Sequence, residues 1–276
     1  MNCISFVTVI DKKILAMATE NTIWSKIMSS ALKLPGVAVD REKFLRSALK
    51  GYCLGSHIDA AVERGTAGVV PDVILDKLAA NCIKSHTKKV TLLSAAMGMP
   101  GGWATLGTIP TDIAQFYYHV FIVGQKLAYI YGFPDMRDEN GQLSKSATSV
   151  LTLFVGVMTG VAIATKALQE LGEVLKRQVI KKLPEYALSN GALQITVRKI
   201  AKKIGLEISK SSVGEGMVKL IPIVSGAISG VLTYKTFKPQ AKQLSMNLRR
   251  TMLLPQYSSA SKTVDVDYQE LPPPLP

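Results

Sequence analysis

MGMPGGWATLGTIPTD (97–112), running directly into IAQFYYHVFIVGQKLAYIYGFP (113–134), decides how the rest of this chain is read. The first part is rich in glycine and proline and the second carries apolar residues at helical spacing, which predicts a tight loop and a helix that restarts near Pro110. Asp112, Gln115, His119 and Gln125 stand in surroundings that are otherwise almost uncharged. Burying such a group unpaired costs about 1 to 3 kcal/mol, so each must be paired, face water or do chemistry. Asp112, Gln115 and His119 recur at spacings of three and four and can share one helix face, where an Asp–His pair is the candidate general base or a pair of metal ligands. Asp112 equally suits a cap on the free N–H groups at the helix start. No third partner for triad chemistry is visible, so no catalytic residue is assigned.

Helix signals continue on both sides. Asp40 is placed to cap a helix carrying Phe44, Leu45, Ala48 and Leu49, and Pro71 suits the first turn of one carrying Ile74, Leu78 and Cys82. Only the opening MNCISFVTVI is β-branched enough for a strand, and a lone strand has no partner; a flexible or helical terminus fits as well. Three blocks are free of charge: Val90 to Thr111, Ser146 to Thr165 and Leu220 to Tyr234. Proline and glycine break the first, whereas the second lacks proline and has the length a bilayer requires. Each block holds a Gly-xxx-Gly pair. Gly98 and Gly102 straddle Pro100 and read as a turn, but Gly156 with Gly160 and Gly226 with Gly230 predict close packing of helix 146–165 against helix 222–234. The same spacing serves a membrane bundle and a tightly packed soluble one.

Lys and Arg number 33 against 20 Asp and Glu, a net charge of +13, while 47% of residues are hydrophobic and mean hydropathy is +0.21. This combination suits a protein that touches a membrane. Most of the charge lies between Lys176 and Arg250, where only Glu185, Glu207 and Glu215 oppose it. In VRKIAKKIGLEI, Val197, Ile200, Ala201 and Ile204 form one face and Arg198, Lys199, Lys202 and Lys203 the other, a pattern of membrane-surface helices and of solvated bundle helices alike. The aromatics of this basic region are Tyr186, Tyr234 and Phe237, too sparse for a stacking platform, so nucleic acid is not the expected partner. MNCISFVTVIDKK has no basic stretch ahead of its apolar run and no small-residue cleavage site, so a secretory leader is not expected. Cys3, Cys53 and Cys82 give no disulfide framework and point to a reducing compartment. Cys53-x-x-x-His57 and Cys82-x-x-x-His86 would supply four zinc ligands if two helix faces met. Gly55 and Ser56 interrupt the first pair, so the expectation is no metal and no cofactor. Phosphate-loop, dinucleotide, serine-elbow and His-Glu-x-x-His signatures are missing, and the reading leans away from an enzyme.

LPGV (34–37), MPGGWATLGTIPTD, QKLAYIYG (125–132) and LIPIVSGAISGVLTYKTF (220–237), with matches at Pro110, Asp112, Gln125, Tyr129 and Gly132, resemble the bacterial EcsC family. The resemblance covers most of residues 20 to 250 and implies a helical, membrane-associated protein with no catalytic residues to carry over. The resulting expectation is an all-α single multi-helix domain of roughly eight to ten helices. It comprises an N-terminal segment (1–19), a helical domain (20–254) with glycine-patterned apolar helices, and a disordered Pro-rich C-terminal tail (255–276) ending in PPPLP. The expected place is the inner face of the cell membrane, peripheral or partly embedded, against anionic lipids or a membrane protein complex, in a scaffolding, regulatory or lipid-binding role. The rival expectation is a soluble helical enzyme or small-ligand carrier whose pocket lies beside the 111–132 helix.

Overall fold

Asp40 accepts a hydrogen bond from the Lys43 amide at 2.9 Å, and α2 (Arg41–Leu49) starts there. The computed structural model describes residues 23–97, 111–176, 181–184, 191–212 and 228–253. Among these the chain forms α1 (23–32), α2, α3 (Gly55–Arg64), α4 (Asp72–Met97), α5 (Thr111–Ile130), α6 (Lys145–Met158), α7 (Ala162–Lys176), α8 (Gly191–Ser212) and α9 (Ile228–Leu253). No strand occurs among the described residues, which have only isolated bridges such as Asp135 with Lys182. The protein is therefore all-α. Pro71 stands just before α4, and its carbonyl accepts from the Ile74 amide at 2.9 Å. α9 runs as a helix through Pro239.

Two glycines stop helices by one device. At the end of α5, Gly132 adopts φ +95°, the Phe133 amide reaches back to the Ala128 carbonyl and the Gly132 amide to that of Tyr129. At the end of α6, Gly160 adopts φ +75°, with Val161 bonded to the Gly156 carbonyl and Gly160 to that of Val157. Both are Schellman turns, which need the left-handed conformation that glycine takes without steric cost.

The second turn corrects the reading of Ser146 to Thr165 as one bilayer-length helix. α6 opens at Ser144, whose hydroxyl accepts from the Ala147 amide at 3.0 Å, and it closes at Met158 before α7 begins. At 1.5 Å per residue it reaches about 21 Å, short of the roughly 30 Å of a hydrocarbon core. No helix among the described residues is long and apolar enough to cross a membrane. α6 is instead the buried centre: Val150 through Met158 are all inside, surrounded by α5, α7, α8 and α9. A helix apolar on every side is satisfied by protein neighbours as well as by lipid.

α4 and α9 form a long antiparallel pair, fixed at one end by Arg249, which bonds Asp76 at 2.8 Å and Asp72 at 3.2 Å. α5 packs on both and carries an aromatic wall: Tyr117 meets Trp24 edge-on at 5.2 Å and Phe116 meets Phe237 at 6.0 Å. Of the glycines in the Gly-xxx-Gly reading, Gly156 permits close approach, but to α7 and α8 and not to α9. Gly160 is in the turn, so it shares no helix face with Gly156, whose missing side chain makes room for Ile200 of α8 and Ala164 of α7. Gly226 lies outside the described residues and Gly230 falls in the first turn of α9. α6 does pack against α9. Gly124 of α5, against Phe154 and Leu244, and Gly172 of α7, against Thr251, are the close-contact glycines facing α9. The opening 1–22 and the tail 254–276 lie outside the described residues.

Candidate functional site

Two polar groups placed by α5 turn out to hold the fold together. Gln125 is 0% exposed; its Oε1 accepts from the Val39 amide at 2.9 Å, and its Nε2 donates to the Val37 carbonyl at 2.8 Å and the Phe121 carbonyl at 3.0 Å. It thereby ties the 34–39 segment to α5. Arg41 is buried beside it in the chain's N-terminal half and donates Nε to the Phe133 carbonyl at 2.9 Å, Nη1 to Val62 at 2.6 Å and Nη2 to Ala61 at 3.3 Å. One guanidinium so joins the start of α2, the end of α3 and the turn after α5. Tyr129 completes the seam, its hydroxyl accepting from the Met136 amide at 3.1 Å.

A different arrangement lies one residue further along α5. From Ile113 to Pro134 Lys126 is the single charged residue, and its ammonium approaches Nε2 of His86 on α4 at 3.2 Å. The ring of Phe44 from α2 lies with its centroid 5.5 Å from the Lys126 nitrogen, a distance at which an aromatic face attracts a cation. His119, two turns before Lys126 on α5, meets the His86 ring edge-on with centroids 5.9 Å apart. Cys82 and Lys89 flank His86 on α4, one turn to either side. His86 is only 4% exposed, while Cys82, His119 and Lys126 are half-buried.

The electrostatics of this cluster have one sign. Burial pushes His86 down to about 3, with the charges of Lys126 and Lys89 and the neighbouring His119 acting in the same direction. His119 is pushed down to about 4 by burial, then by Lys89 and Lys126. Burial also lowers Lys126 and raises the Cys82 thiol to about 11. At neutral pH the site therefore holds two neutral imidazoles, a protonated thiol and lysine charge. Nδ1 of His86 and Nδ1 of His119 are both buried without a hydrogen-bond partner, each a cost of about 1 to 3 kcal/mol. Two such open positions on facing rings inside a packed protein call for an explanation.

Of the sequence candidates, the structure brings His119 and the Cys82, His86 pair together and leaves Cys53 and His57 apart from them. Cys53 sits in the turn after α2 and His57 lies exposed in the first turn of α3, because Gly55 opens that helix between them. The two Cys-x-x-x-His pairs thus do not converge, and no three His, Cys, Asp or Glu among the described residues are placed to hold a metal. Gln115 is half-buried on α5, and the side chain of Asp112 lies outside the described residues. Lys126 and Lys89 were not singled out from the sequence. The signal for Lys126 was present: it is the single charge between Ile113 and Pro134.

α8 forms a second surface. It buries Leu193, Ile200, Ile204 and Ile208 against α6 and α7, exposes Arg198, Lys199 and Lys203, and leaves Lys202 half-exposed. No protein-family profile, curated protein or solved structure matches this chain.

Proposed function

We propose that this chain works at the surface of a membrane, held to anionic lipid through the outer face of α8, in a scaffolding, regulatory or lipid-binding role. The observation that carries the reading is α8 itself, which spends its apolar side on the core and turns Arg198, Lys199 and Lys203 outward. A row of cations anchored on a packed helix offers lipid head groups a preformed surface, worth about 1 kcal/mol per basic residue near an anionic membrane. The excess of basic over acidic residues in the C-terminal half supports the same orientation. The resemblance to EcsC-like proteins supports it independently, since that family is thought of as membrane-associated.

Reversing Lys199, Lys202 and Lys203 to Glu tests the proposal by co-sedimentation with vesicles. Binding to anionic vesicles should weaken by several kcal/mol, at about 1 kcal/mol per residue, and salt should weaken the wild type as well. A triple variant that binds as the wild type does, or wild-type binding equal on neutral vesicles, would refute the electrostatic attachment. It would favour the soluble carrier or enzyme with its pocket beside α5.

A further inference from the structure

We propose that His86, His119, Lys126 and Lys89 form a receptor for a doubly charged phosphate group between α4 and α5. The argument starts from the contact at 3.2 Å between the Lys126 nitrogen and Nε2 of His86. An ammonium can only donate, so Nε2 is the acceptor and the neutral imidazole carries its proton on Nδ1. That N–H is buried and has no acceptor. His119 also has a buried Nδ1 without a partner, its ring 5.9 Å from that of His86, and in the Nδ1–H tautomer it would add a second open donor. What is missing is an acceptor.

Charge says which kind. Lys126 and Lys89 act on both imidazoles, and among the described residues no carboxylate bonds to either imidazole or to either lysine. From α4, Lys126 faces His86, Cys82 and Lys89, and α2 contributes the uncharged ring of Phe44. A water molecule would fill a hydrogen-bonding position and leave the charge unopposed. Two lysines with no carboxylate partner among the described residues match a phosphate monoester dianion, and the imidazole N–H of His86 supplies a directed donor. Proton uptake by either histidine would strengthen the hold, because an anion in place favours the imidazolium. The phosphate can belong to a free phosphorylated small molecule or to a lipid head group; the chemistry is shared. These residues are separate from the basic face of α8, so the inference stands apart from the proposed lipid attachment.

The test follows the histidine side-chain resonances of the full chain, labelled with ¹⁵N, at constant ionic strength. Inorganic phosphate is titrated in one arm. The other uses phosphatidylcholine vesicles containing phosphatidic acid, against vesicles with phosphatidylglycerol at equal surface charge. The result expected is a saturable shift of His86 and His119, with Lys126→Met weakening it about tenfold or more. A response to inorganic phosphate assigns a soluble ligand, and a response to phosphatidic acid alone assigns a head group. If Lys126→Met does not fold, Lys89→Met at an exposed position carries the test and should weaken binding severalfold. Charge reversal on α8 should leave the response to inorganic phosphate intact, so failure of one proposal is distinguishable from failure of the other. Histidines that do not respond saturably to any probe, lysine variants that bind as the wild type does, or equal responses to phosphatidic acid and phosphatidylglycerol would each overturn the inference.

Discussion

Gln125 and Lys126 are neighbours on α5 but belong to regions built on different terms. Around Gln125 and Arg41 every side-chain nitrogen and oxygen has a backbone partner, six contacts from two side chains if each of their bonds is followed. Around Lys126, His86 and His119 each keep a buried nitrogen with no partner. The first region is complete without anything added, which is what a structural joint requires. The second is left costly in the free protein, and a fold tolerates such cost where a ligand relieves it.

The comparison breaks most readily at Arg41. Arg41→Met should destabilise the fold by about 3 kcal/mol or more, since hydrogen bonds from a charged donor are each worth about 1.5 to 3 kcal/mol and three carbonyls lose the guanidinium. Urea unfolding at neutral pH measures it; a loss under about 1 kcal/mol would mean that the joint is not what holds α2, α3 and α5 together. Gln125→Leu should come next, at about 2 to 3 kcal/mol, because it strands the Val39 amide and the Val37 carbonyl in the interior. Equal stability of the Leu variant would place Gln125 among the dispensable polar groups and erase half of the contrast.

Acid should expose the second region. The folded protein holds His86 at about 3 and His119 at about 4, below the ordinary 6.5, so below that value the unfolded chain takes up protons which the folded one refuses. Stability from these groups is accordingly whole above about pH 7 and declines as pH falls from 6.5 toward 4, with His86 continuing toward 3. Denaturant melts at a series of pH values should show a shallower acid decline in the His86→Phe, His119→Phe double variant than in the wild type. Identical slopes would show that neither imidazole is shielded. The smallest effect is expected at neutral pH for His86→Phe alone, about 1 kcal/mol, because the apolar ring removes the acceptor of the Lys126 ammonium together with a buried donor that had no acceptor. A loss as large as that of Gln125→Leu would make His86 a second structural joint.

Much of the helical framework was legible. Asp40 announces α2 through its cap, Pro71 precedes α4, and the spacing after Pro110 marks α5. The candidate site was legible only in part. His119 and His86 could be picked out as rare residues, but they were assigned to different constellations, one with Asp112 and one with Cys53. Spacing within a helix shows what shares a face and says nothing of which face is opposite. What Lys126 pairs with is set by the face of α4 laid against it, which the spacing along α5 does not show.

By itself the sequence determined what depends on neighbours in the chain: which segments are helical, where caps start them, that the C-terminal half is basic, and that α8 has an apolar and a cationic side. Tertiary structure alone decided what depends on residues far apart. An uncharged run such as Ser146 to Thr165 looks the same whether lipid or protein surrounds it, and it was the turn at Gly160 and the helices packed around α6 that made it the core. Likewise Gln125 became a joint and Lys126 part of an unfinished site only when α4 and the 34–39 segment were laid against α5. Pairing is a property of the assembled fold, and a buried polar group is satisfied or left open by partners that local sequence does not specify.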